Sequence, residues 1–163
     1  DTAREACIAL AREAAAAGVP VSLDVNYRPA LWSPDEARAA LAMVLPSVTT
    51  VIASEDELPL LVDAPESDAV GHLLAGGASE VVVKRGERGV SAWTLDSEVH
   101  VAARRVAVVD VIGAGDAFCA GFLSGLLDGL SLHGSAERGT DVAAACVAST
   151  GDWEGLPKRS QVS

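Results

Sequence analysis

Residues 109–129, VDVIGAGDAFCAGFLSGLLDG, constrain this chain more than any other stretch. An apolar, β-branched run at 106–112 stops at Gly113-Ala114-Gly115, and from Asp116 the pattern is that of a helix. The run reads as a buried strand. The glycines turn the chain sharply. Phe118, Phe122, Leu123, Leu126 and Leu127 make the larger face of the helix. Ala117, Gly121 and Gly125 recur every fourth residue and leave a stripe almost without side chains. Such a stripe lets the helix lie close against a sheet or a second helix.

The chemistry of the turn points to an anion. Glycine exposes backbone N–H groups without interference from a Cβ, and a helix N-terminus adds outward-facing donors and a partial positive charge. At that positive end the Asp116 carboxylate is stabilised as the base. Amides that hold developing phosphate charge, beside a carboxylate that takes a proton from an attacking hydroxyl, suit phosphoryl transfer. On spacing alone the commoner reading is that Asp116 is a plain N-cap after a glycine turn, and both stay open at this level.

The rest of the chain alternates strand and helix. Residues 2–17 read as an amphipathic helix stopped by Gly18, and 19–24 as a strand. Pro29 pushes Arg28 into an extended conformation, with Leu31 and Trp32 as apolar anchors. Ser33, Pro34 and Glu36 spell a capping box with proline at the first helical position, for a helix running to Leu45. A strand at 48–53 precedes a second capping pattern, Ser54 to Glu57, which starts a further helix. A helix at 68–75, a strand at 81–84, a hairpin around Asp96-Ser97 and a final helix at 136–149 complete the pattern. This is an α/β arrangement with a mostly parallel sheet. Ligands in such sheets bind beyond the carboxyl ends of strands. Three chemistry-bearing segments are predicted at such ends: 24–28, 84–89 and 113–116.

Composition narrows the function. The formal charge of -11 argues against a nucleic-acid or anionic-membrane surface. No apolar run approaches the roughly 20 residues that span a bilayer. Cys7, Cys119 and Cys146 form no CxxC pair and read as buried thiols of a reducing cytoplasm. His72, His100 and His133 lack metal-ligand spacing.

The string D-V-I-G-A-G-D-A-F, residues 110–118, resembles the C-terminal signature of the ribokinase-like (PfkB-type) sugar kinases. The resemblance implies that Asp116 is the catalytic base and that the amides of Gly113, Ala114, Gly115 and Asp116 form the anion hole. DVNYRPALW, residues 24–32, resembles a segment of the 2-keto-3-deoxygluconate kinase branch and its fructokinase-like relatives. It implies that Asn26 and Arg28 face ATP and that Arg28 also reaches the acceptor. KRGERG resembles the nucleotide-lining K-x-G-x-x-G turn, giving Lys84, Gly86 and Gly89, although the string alone is an ordinary turn. SEDEL resembles the N-x-x-E segment whose Glu organises Mg2+, which gives Glu57, with Ser54 in place of the usual Asn; a capping box explains the same pair equally well. GDWEGLP resembles a branch segment near the substrate, giving Asp152.

These resemblances imply a ribokinase-like three-layer α/β/α fold. They cover only the C-terminal half of the family's usual length, so the small β lid is absent and the chain reads as a fragment or truncated product forming one α/β domain. The implied cofactors are ATP and Mg2+, and the implied partner is a small sugar or sugar acid: 2-keto-3-deoxygluconate first, fructose or another ketose next. A homodimer or a missing N-terminal half is the expected protein partner, since a sheet cut through its middle exposes an edge. The competing class is a non-catalytic nucleotide-binding fragment or pseudokinase. A Rossmann dehydrogenase fits poorly, because no GxGxxG follows an early strand.

Overall fold

The computed structural model describes residues 2–162. Its helices are α1 (Thr2–Ala16), α2 (Pro34–Val44), α3 (Leu58–Leu61), α4 (Glu66–Ala75), α5 (Ala114–Leu127) and α6 (Leu132–Val147). Its strands are β1 (Ser22–Asp24), β2 (Thr50–Ser54), β3 (Glu80–Lys84), β4 (Val90–Trp93) and β5 (Glu98–Val101). The strands lie in one sheet in chain order, β1-β2-β3-β4-β5. β1 and β2 run parallel, with Ser22, Leu23 and Asp24 opposite Thr50, Val51 and Ile52. By contact the chain gathers into two compact units, residues 2–83 with Trp93–Ser97, and Lys84–Ala92 with 98–162.

The first unit follows local sequence cues closely. Ser33 caps α2: its Oγ accepts from Glu36 N, while Glu36 Oε2 accepts from Ser33 N at 2.9 Å. The Ser33 amide, and the Ser33 hydroxyl that donates to the same Oε2 at 2.8 Å, hold the Glu36 carboxyl below the usual range. The core is built from β2, β3, α3 and α4, with Val51, Leu58, Val70, Leu73, Val81 and Val83 packed together. Each such side chain contributes about 1.5–3 kcal/mol when fully buried. Two expectations change here. The Ser54–Glu57 pattern does not start a helix at Ser54: residues 54–57 form a turn and α3 begins at Leu58. Leu31 is no anchor, at 80% exposed; Tyr27 orders that loop, its hydroxyl donating to Trp32 O at 3.0 Å.

In the second unit the glycine stripe of α5 meets α6. A Cβ on Gly121 would stand 2.8 Å from the Arg138 carbonyl oxygen and from Gly139 Cα; one on Gly125 would stand 2.8 Å from Ser135 Cα. The helices approach so closely because the stripe has no side chains to hold them apart. Phe118 and Phe122 stack beside this contact with ring centroids 5.9 Å apart. Arg138, buried on α6, donates to Asp128 Oδ2 at 2.6 Å, and Arg159 binds the other oxygen. The Arg138 hydrogen bond, with the charges of Arg159 and Arg138, pulls the Asp128 carboxyl below its ordinary value.

Four sequence expectations fail in this part of the fold or beyond it. α6 starts at Leu132 rather than 136, because Ser131 caps it by accepting from Gly134 N at 3.1 Å. Leu127 is 88% exposed. Cys7 is exposed and Cys119 half-buried, so among the three thiols Cys146 alone is buried. The run 106–112 is neither strand nor buried, with Val108, Val111 and Ile112 at 66%, 69% and 63% exposure. Its Val109 and Asp110 amides both donate to Val147 O at the end of α6 instead of entering a ladder.

Candidate active site

The turn before α5 is made by Gly113, the N-cap, at φ +77. Few residues with a Cβ adopt that conformation. A side chain there would also collide with Asp152, whose Cβ and carbonyl oxygen stand 2.8 Å from the position a Gly113 Cβ would take. Ala114 N donates to Val111 O at 3.3 Å, and Ala117 N makes the first helical bond, to Gly113 O, at 2.8 Å. Helix geometry turns the amides of Gly115 and Asp116 toward the space before the helix, where the macrodipole favours negative charge, while that of Ala114 bonds Val111 O. Asp116 lies in that first turn, exposed.

The KRGERG turn leaves β3 and closes tightly. Arg85 N donates to Gly89 O at 2.8 Å, and Gly89, at φ +95, sits where a Cβ would strike Val101 O and come 2.7 Å from Ala103 N. Lys84, at the end of β3, extends so that Nζ lies 3.5 Å from where a Gly115 Cβ would be. The lysine ammonium and the glycine turn therefore share one site.

A cavity of about 690 Å3 joins them. Lys84, Gly86, Gly89, Ala114 and Gly115 line it, with Val106, Val108, Val111, Phe118, Ala143 and Val147 as apolar wall. Its size is that of a small-molecule pocket, mostly apolar with a few convergent polar groups. It suits a nucleotide in two respects: the walls accept a flat base, and Lys84 with the helix N-terminus accepts phosphate. Val106, Val108 and Val111 thus have a place, as wall rather than strand.

Asn26, Arg28 and Glu57 belong to the first unit. Asn26 has φ +41, a left-handed conformation that Asn tolerates better than most residues, and it turns the chain just after β1. The next amide, Tyr27 N, donates to Glu57 Oε1 at 2.7 Å, and Ser54 N donates to Glu57 Oε2 at 2.8 Å. Glu57 is 8% exposed. This carboxylate ties the ends of β1 and β2 together, and each oxygen keeps a lone pair for a water. Arg28 is exposed. Among the described residues no group of three or more His, Cys, Asp or Glu has the placement of a metal cage. Mg2+ seldom needs one, since it keeps waters and takes one or two carboxylates beside phosphate oxygens.

Two residues of the site escaped the sequence reading. Asp110 Oδ1 accepts from Ile112 N at 3.0 Å and Oδ2 accepts from Gly151 N at 3.4 Å. Cys146, 1% exposed, points Sγ at Ile112 O (3.4 Å) and Asp152 O (3.6 Å). Asp110 was visible as the first residue of the nine-residue string. Nothing in the sequence marks Cys146, which lies 34 residues from Ile112.

A glycine turn at a helix N-terminus with a neighbouring lysine at one apolar cavity is an arrangement that can hold an anion. Residues 1–159 match the pfkB family of carbohydrate kinases, and the chain belongs to that family. It is 39% identical over 157 residues to the 2-dehydro-3-deoxygluconokinase of Bacillus subtilis, covering 90% of this chain and 46% of that protein. Aminoimidazole riboside kinase from Salmonella enterica, solved with aminoimidazole riboside and an ATP analogue, superposes with a TM-score of 0.84 at 33% identity, covering 98% of this chain and 56% of that one. A chain from E. coli assigned as ribokinase II, solved with ATP and Mg2+, superposes with a TM-score of 0.81 at 31% identity over 87% of this chain and 46% of its own. The chain spans about half the length of the curated relatives it matches.

Proposed function

We propose that this chain is the nucleotide-binding and phosphoryl-transfer portion of an ATP-dependent sugar-acid kinase, with 2-keto-3-deoxygluconate as the first-choice acceptor. The observation that carries the reading is the shared cavity, where Lys84, Gly86 and Gly89 face Ala114 and Gly115 across one space. ATP, with Mg2+, supplies the phosphoryl group and neutralises part of its charge. Lys84 and the KRGERG turn hold the nucleotide; for Asn26 and Arg28, in the first unit, a role toward ATP is supported by the DVNYRPALW resemblance alone. The amides of Gly113, Ala114, Gly115 and Asp116 stabilise charge that grows on the transferring group. The Asp116 carboxylate accepts the proton of the sugar hydroxyl. Glu57 is the residue of the first unit that would hold Mg2+ through water, and Asp152, pressed on Gly113, would lie near the acceptor. The choice of acceptor is supported by the similarity to a 2-dehydro-3-deoxygluconokinase and by the DVNYRPALW and GDWEGLP segments.

Calorimetric titration with Mg·ATP, followed by ADP release over a panel of sugar acids and ketoses, tests this on the wild type and on Asp116→Asn. Nucleotide binding should survive the substitution, while turnover falls by about 10²- to 10⁴-fold. Binding without turnover on any sugar would make the chain a nucleotide-binding part only. Turnover that fructose supports better than the sugar acid would reassign the acceptor.

A further inference from the structure

The anion-hole turn is not held by its own helix alone. Two side chains join it to the segment that carries Asp152. Asp110 bridges Ile112 N and Gly151 N through its two carboxylate oxygens. Cys146 reaches across from α6 to two carbonyls, Ile112 O on one side and Asp152 O on the other. Between them Gly113 lies against Asp152 so closely that even a methyl group has no room. One carboxylate bridge, one thiol within reach of a carbonyl on each side and one steric contact therefore join residues 110–113 to 151–152.

We infer that Cys146, with Asp110, is a positioning residue that clamps the anion-hole turn to the Asp152 segment. The inference rests on the proposed kinase reading of the turn. An oxyanion donor works only when it is already aimed at where charge develops, so a turn free to shift loses transition-state stabilisation while leaving nucleotide affinity nearly intact. A small buried thiol suits the place. It fills little volume and donates one proton to either carbonyl. Burial, and then the carboxylates of Asp152, Asp110 and Asp116, push it above its ordinary pKa, which keeps that proton in place. Alanine would keep most of the packing and lose the donor; serine would keep the donor.

The test compares wild type, Cys146→Ala, Cys146→Ser and Asp110→Asn in the full-length protein. Amide exchange followed by mass spectrometry should quicken about tenfold in Cys146→Ala within both 111–116 and 150–153, with the middles of α5 and α6 unchanged, the change expected for one lost hydrogen bond. Turnover should fall by a similar factor while the KM for ATP stays within about twofold. Cys146→Ser should restore most of both, and Asp110→Asn should quicken exchange at 150–153. Unchanged exchange in either segment overturns the clamp. So does quickening spread evenly over α5 and α6 with a lowered melting temperature, which would reduce Cys146 to packing. Quickened exchange with unchanged turnover overturns its positioning role. If the wild type binds no Mg·ATP, the kinase reading fails by itself, and the exchange pattern still decides whether the clamp exists.

Discussion

Two β-branched runs of this chain, each leading to a glycine turn, meet opposite fates. In the first unit Val81, Val82 and Val83 of β3 are 0% exposed. In the second, Val108, Val111 and Ile112 are 63–69% exposed and line the cavity mouth or stand beside it. The residue types are the same. What differs is where the backbone sends its hydrogen bonds. β3 pairs within a sheet, whereas the amides of Val109 and Asp110 converge on the carbonyl at the end of α6. A run paired in a sheet acquires neighbours on both faces and becomes core. One held at a single point stays open and can wall a ligand pocket. The candidate cavity takes much of its apolar wall from the run that does not complete its burial.

Replacing one isoleucine in each unit sharpens this contrast most. Ile52 in β2 is 1% exposed, and Ile52→Ala should cost about 2–5 kcal/mol of stability. Ile112→Ala should stay within about 0.5 kcal/mol, because its side chain is already in solvent. Urea denaturation of both proteins measures the gap. Equal losses would mean that 106–112 is buried in solution and would break the contrast.

A smaller effect separates two helical glycines. A Cβ on Gly71, in α4, meets nothing within 4 Å, whereas one on Gly121 meets the backbone of α6 at 2.8 Å. Gly71→Ala should raise stability by about 0.5–1 kcal/mol through helix propensity. Gly121→Ala should lower it by about 1–2 kcal/mol, since overpacking outweighs the same gain in propensity. Thermal melts followed by circular dichroism distinguish the two signs.

The smallest expected effect is a pH dependence confined to the second unit. The Cys146 thiol is raised above its ordinary value of 9.0 by burial first and then by the nearby carboxylates. The unfolded thiol ionises near 9.0 while the folded one keeps its proton. Its stabilising contribution is therefore complete below that pH and is lost as pH rises toward the folded value. Urea midpoints measured at about pH 8 and about pH 10 should fall in the wild type by more than in Cys146→Ser. Equal falls would show that the thiol is not shielded.

Much of the fold and part of the site could be read from the sequence, and the boundary follows the range of the interactions. The Ser33–Glu36 capping box, the stop of α1 and the hairpin around Asp96-Ser97 depend on residues a few positions apart, and each formed where the spacing placed it. The glycine stripe announced a close approach but not its partner, which is α6. The KRGERG string points to Lys84, Gly86 and Gly89 and the GAGD string to Ala114 and Gly115, and these five residues line one cavity. The start of α6 carries no clear signal in the sequence, because the third residue after the Ser131 cap is Gly134 and not the Glu or Gln of a capping box.

The sequence by itself determined the glycine turn, the positive helix end and the carboxylate in its first turn, because these depend on backbone conformations that local residues impose. The tertiary structure alone decided that 106–112 is a wall instead of a strand, and that the second oxygen of Glu57 goes to the amide of Tyr27. It also decided that Asp152 lies against Gly113 with Cys146 beneath. Tyr27 with Glu57 and Ile112 with Cys146 are 30 and 34 positions apart, and the short-range periodicity of a sequence carries no information about which distant backbone group will come within hydrogen-bond reach.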